Sequence, residues 1–122
     1  MEILQLDHVA LHVKDVAKTV AFYRDILGLK QIARPGFDFE GAWLRLGKNQ
    51  SLHLIGGRDR AVHNSNRGDH FALLVDDIDA WAAHLKQCDI SHRGPKKRPD
   101  GAYQIFLEDP DGHWVELSTQ PR

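Results

Sequence analysis

The sequence predicts an α+β fold built from two tandem βαβββ modules. Two observations carry that expectation. The ten residues from Asp69 to Ile78 repeat those from Asp7 to Val16 without a gap, with Asp, His, Ala, Leu, Val and Asp shared at six places. Each copy then runs through the same succession of apolar periods, a strand, a helix and three short strands. At 122 residues the chain can form one compact domain or two small modules that share a core.

The first module takes residues 1–57. From Leu6 to Val13 the residues alternate, with His8, Ala10 and His12 on one face and Val9, Leu11 and Val13 on the other. Asp15 is positioned as an N-cap, and Val16, Val20, Tyr23 and Leu27 recur at helical spacing up to Gly28. A second strand is expected over Leu29 to Arg34 and a turn at Pro35-Gly36. Ala42 to Leu46 and Ser51 to Ile55 read as the third and fourth strands. Residues 58–68 are polar, follow no period and read as a linker.

Residues 69–122 replay this order. Asp69 to Asp76 is a strand, and Ile78, Trp81, Ala82 and Leu85 form the stripe of a helix opened by Asp77. Ile90 to Arg93 reads as a short strand, whereas Gly94 to Gly101 holds too much Pro, Gly and charge to be regular. Ala102 to Leu107, a tight turn at Asp109-Pro110-Asp111-Gly112, and His113 to Ser118 complete the module. Two units this long do not make a solenoid, which needs shorter and more numerous repeats.

Composition narrows the function classes. The net charge of −1 offers no basic excess for nucleic acid or an anionic membrane. No apolar run approaches the roughly 20 residues of a membrane span, and the N-terminus lacks the basic-then-apolar pattern of a signal peptide. The one cysteine, Cys88, rules out an internal disulfide and fits a reducing compartment, so the expectation is a soluble cytoplasmic protein. Eight histidines are the compositional oddity.

Four side chains hold equivalent places in the two modules: His8 and His53 in the first, His70 and Glu116 in the second. Each lies on a first or last strand and faces away from the helix-packing side. If those strands are neighbours, the modules present four metal-ligand side chains. Packing symmetry explains a repeated Val or Leu but not a repeated histidine of this kind. Imidazole and carboxylate suit divalent zinc, iron, manganese, cobalt or nickel, with positions left open for water or a substrate oxygen.

The segments Leu6-Asp7-His8-Val9-Ala10-Leu11, Ala21 to Leu29, Asp69-His70-Phe71-Ala72 and Phe106 to Leu117 resemble the vicinal oxygen chelate superfamily. That superfamily includes glyoxalase I, extradiol dioxygenases, methylmalonyl-CoA epimerases, fosfomycin-resistance thiol transferases and bleomycin-binding proteins. The resemblance spans essentially the whole chain. It implies paired βαβββ modules forming a curved mixed sheet around a central cleft. It also implies a divalent metal on His8, His53, His70 and Glu116, and a homodimer with sites at the interface.

The motifs are more specific for the fold than for the reaction. Glyoxalase I-like enzymes usually place glutamate, and the epimerases glutamine, where His53 stands. Fosfomycin transferases usually carry threonine at the position of Ala10. An iron dioxygenase would find its two histidines and one carboxylate in His8, His70 and Glu116. The expected activity is a metal-dependent glyoxalase-type lyase or isomerase acting on a small oxygen-rich substrate, with Glu116 as ligand and proton carrier. The alternatives are an extradiol-type dioxygenase, a fosfomycin-type thiol transferase, or, in another class, a protein that sequesters a small molecule. His12, Arg45, Lys96 and Lys97 are further candidates for substrate contact, with Lys96 and Lys97 on a loop able to close over an anion. Leu74, the counterpart of His12, is expected to pack, and only one of Trp43 and Arg45 to face the cleft.

Overall fold

The computed structural model describes residues 1–63, 65 and 67–121, which form two compact units, Met1–Arg60 and Ala61–Arg122. Asn64 and Asn66 of the expected linker, and Arg122, lie outside the described residues.

The first unit contains β1 (His8–His12), α1 (Val16–Ala21), a π-helical turn (Phe22–Ile26), β2 (Gln31–Ile32), β3 (Gly41–Arg45) and β4 (Ser51–Ile55). The Asp15 carboxylate accepts the Lys18 amide at 3.0 Å and starts the helix, as an N-cap aspartate should. The helix widens at its end, where the Leu27 amide reaches back to the Phe22 carbonyl at 3.2 Å. Gly28 then reverses the chain at φ +73°, a conformation that costs glycine little. The sheet order is β1-β4-β3-β2, with β1 parallel to β4 and the other pairs antiparallel. Helix α1 packs over β3 and β4. Ala42, Leu44, Leu52 and Leu54 are buried with Val20, Tyr23 and Leu27, which leaves the alternate residues of β3 and β4 on the opposite face.

The second unit contains β5 (His70–Leu74), α2 (Ile78–Gln87), β6 (His92–Lys97), β7 (Tyr103–Glu108) and β8 (Trp114–Ser118). Its order, β5-β8-β7-β6, with β5 parallel to β8, is that of the first unit. Asp77 caps α2 through the Ala80 amide at 3.0 Å. Ile78 and Leu85 are buried along with Ile105, Leu107, Val115 and Leu117 of the strands. The first and last strands of each module are therefore hydrogen-bonded neighbours. In both, a residue of the first strand sits diagonal to a residue of the last: His8 pairs with Ser51 and Ala10 with His53, His70 with Trp114 and Ala72 with Glu116.

Three sequence expectations need correction. The stretch read as irregular after Arg93 is strand as far as Lys97, because a bulge between Arg93 and Lys96 absorbs Gly94 and Pro95. Proline is tolerated there since β6 is an edge strand. Leu74 does not pack within its unit and is 65% exposed. Trp43 and Arg45, two residues apart on β3, stand on the same face rather than on opposite ones.

Candidate metal centre and cation-lined cavity

Residues two apart share a strand face, and paired residues on neighbouring strands face the same way. In the second unit this rule gathers His70, Glu116, Phe106 and Gln104. Phe106 pairs with Glu116 across β7 and β8, Gln104 follows on the same face, and His70 is diagonal to Glu116 on β5. The Asp109–Gly112 turn sets that hairpin's register, so Gln104 and Phe106 were legible as partners of Glu116 once β7 and β8 were paired. The sequence alone does not place them there.

Glu116 is 5% exposed. Its Oε1 accepts the Gln104 side-chain amide at 2.6 Å and lies 3.9 Å from His70 Nε2. That separation is too long for a hydrogen bond. It is nevertheless shorter than about twice a typical metal–ligand bond of roughly 2.1 Å, so one ion can reach both groups. The Nδ1 atom of His70 is buried without a hydrogen-bond partner among the described residues, which is costly unless something else takes up the ring's polarity. The Phe106 ring meets the imidazole edge-on, with centroids 5.5 Å apart. The donor set of His70 and Glu116 therefore fits a divalent transition metal.

The same face of the first unit is built differently. Asp7 Oδ2 lies 2.8 Å from His8 Nδ1, an arrangement that leaves Nε2 free as a metal-binding nitrogen. The His8 ring stacks on His53 at 4.2 Å and 13°, and His53 stacks on Trp43 at 3.9 Å and 2°. Lone pairs of imidazole lie in the ring plane, so rings this close to parallel direct them side by side rather than toward one point. The Ser51 hydroxyl also lies 2.8 Å from His53 Nε2. Burial lowers the pKa of His53, His8 lowers it further, and Asp7 opposes them, so neutral imidazole is favoured.

Among the described residues, no three His, Cys, Asp or Glu side chains are grouped to hold an ion. The four predicted ligands are instead described as two pairs. His12 and Arg45 are engaged by nearby backbone: His12 Nε2 lies 3.0 Å from the Gly56 carbonyl oxygen, and Arg45 Nη1 donates to that of Lys48 at 3.2 Å. Lys96 and Lys97 do line a cavity of about 620 Å³ in the second unit, together with His70, Gln104, Phe106 and Glu116. Arg67, Arg93 and Arg98 add three more cations to its wall.

Residues 5–117 match the model of the glyoxalase/bleomycin resistance protein/dioxygenase superfamily. The chain belongs to that superfamily. Among relatives of this superfamily member, metallothiol transferase FosB of Bacillus licheniformis is 25% identical over 123 residues, covering 97% of this chain and 77% of the relative. Lactoylglutathione lyase of Haemophilus influenzae is 27% identical over 124 residues, covering 93% and 91% of the two chains. A crystal structure from Bacillus anthracis assigned to the glyoxalase family superposes with a TM-score of 0.84 at 25% identity, covering 98% of each chain. The two mixed sheets and few helices are the glyoxalase-like fold. Among the described residues, no helix is long and apolar enough to cross a membrane.

Proposed function

We propose that this superfamily member is a divalent-metal-dependent enzyme, closest in reaction to the glyoxalase-type lyases and isomerases, acting on a small oxygen-rich substrate. The supporting observation is the buried Glu116 carboxylate, oriented by Gln104 and 3.9 Å from a His70 ring whose Nδ1 lacks a partner. Zinc, iron, manganese, cobalt or nickel would suit these donors and, when bound, polarises adjacent substrate oxygens. His70 and Glu116 hold the ion in this reading. An ion site normally takes three or four protein donors. The third is assigned to His8 of a second copy in a homodimer, its Nε2 left open by the contact of Nδ1 with Asp7. His53, the fourth expected ligand, is assigned to packing against His8 and Trp43, because its ring lies flat between theirs.

Glu116 has a second oxygen not engaged by Gln104, and in this reading it accepts the proton removed beside the polarised carbonyl. Gln104 keeps the carboxylate aimed at the cavity. Residues 1–57 and 69–122 are taken as the modules with 58–68 between them, and the single cysteine favours a reducing, cytoplasmic setting. A second reading, metal-assisted addition of a thiol to a small anion, is favoured by one observation. Among the described residues lining the cavity Glu116 is the one carboxylate, so the pair of carboxylates usual in glyoxalase I-like enzymes is not found there.

Elemental analysis of the purified protein tests the metal. About one divalent ion per pair of modules is expected, lost in His8→Ala and Glu116→Gln. No stoichiometric metal, with ligand binding unchanged in His8→Ala, would overturn the enzyme reading and leave a sequestering protein. Assays with a hemithioacetal, and with a thiol plus a phosphonate epoxide, separate the two reactions.

A further inference from the structure

We propose that the cavity of the second unit holds an organic oxyanion, a phosphate, phosphonate or carboxylate seated on Arg93 and Lys96, with the rest of the ligand extending toward His70 and Glu116. Such a ligand gives the proposed metal site a substrate class and rests on that reading for its catalytic meaning, but binding of the anion does not require the metal.

Residues three apart on a regular strand point to opposite faces. The bulge in β6 breaks the alternation, so that Arg93 pairs with Phe106 and Lys96 with Gln104, and both take the face that carries Glu116. The bulge depends on Gly94, which has φ +96° and on which a Cβ would run into the Gln104 carbonyl oxygen. A strand without it would turn one of these cations away from the cavity.

Five cations and one carboxylate line the cavity, while the whole chain has 16 basic and 17 acidic residues, so the positive charge is concentrated here. Arg98 is engaged by Asp100 through contacts of 2.8 and 2.6 Å, and Arg93 is held over the Trp114 ring at 5.0 Å. Lys96, Lys97 and Arg67 make no ion pair among the described residues. Glu116 on the far wall repels an anion, which gives the ligand a direction: oxyanion at β6, reacting oxygens at His70 and Glu116. A volume of about 620 Å³ lies within the usual range of small-molecule sites.

The test is calorimetric titration of the full chain, as purified and again after chelation, with phenylphosphonate, benzoate and uncharged benzamide. Either anion should bind at least about tenfold more tightly than benzamide, and their order tells phosphonate from carboxylate recognition. Arg93→Gln and Lys96→Gln should each weaken the anion about tenfold or more, as expected on losing a charged hydrogen bond, whereas Lys30→Gln should not. Benzamide binding as well as the anions would overturn the proposal. So would anion affinity unchanged in a folded Arg93→Gln/Lys96→Gln protein, including binding that vanishes on chelation alone, which places the anion on the metal. Loss of metal with anion binding intact would sink the metal reading and leave this one standing.

Discussion

The dipeptides Asp7-His8 and Asp69-His70 occupy the same place in two sheets of the same order, yet their surroundings differ. Asp7 holds the Nδ1 atom of His8, and that ring begins a stack continued by His53 and Trp43. Asp69 adopts φ +49°, and the Nδ1 atom of His70 is buried without a partner among the described residues. The difference traces to the third strand of each module. Trp43 covers His53 with a flat ring, whereas the equivalent Phe106 turns its ring edge-on to His70. Gly41 has no side chain to offer where Gln104 reaches Glu116. The repeat preserves a backbone lattice, and neighbouring strands assign the chemistry.

The largest expected effects test the shared lattice. Leu54 and Leu117 occupy matching core positions at 0% and 1% exposure, so Leu54→Ala and Leu117→Ala should each cost about 2–5 kcal/mol in urea unfolding. A silent substitution in one unit would break the equivalence of the two cores. Next comes the ligand distinction. Glu116→Gln should weaken metal binding about a hundredfold or more in chelator competition, and His53→Gln by less than about tenfold. Equal losses would put His53 among the ligands. The two aspartates sharpen the contrast: Asp7→Asn should cost about tenfold in metal affinity while Asp69→Asn leaves it unchanged, because only Asp7 braces its histidine.

Smaller effects are read by titration. Burial is the main force lowering the His53 pKa, so Trp43→Ala should raise it, as followed by NMR of the ring protons. A fixed pKa would mean that the stack does not shield the ring. The smallest effect is at Asp100, which Arg98 and the Ala102 amide hold at about 2, below the ordinary 3.8. A depressed carboxyl stabilises the fold above its unfolded pKa and loses that contribution as pH falls through its folded one. The difference in unfolding midpoint between the natural protein and Asp100→Asn should therefore be constant from pH 7 to about 5 and shrink from about pH 4 toward 2. Because the pair is exposed, the whole effect should be slight.

Periodicity is a local property, and the sequence by itself determined what depends on it. The two βαβββ units, the caps at Asp15 and Asp77, the apolar faces of β3, β4, β7 and β8, and the matching places of His8, His53, His70 and Glu116 were all legible there. Strand β6 was not, because a bulge containing Gly and Pro carries no period and only pairing with β7 reveals it. The roles of Gln104, Phe106 and Trp43 were hidden for a related reason, since each depends on which residue lies across a strand pair. Only the tertiary structure laid His53 flat between two rings, left His70 Nδ1 without a partner, and turned Arg93 and Lys96 toward Glu116. Register and ring orientation are set by contacts between distant residues, and these decide what an Asp-His repeat does in each of its two places.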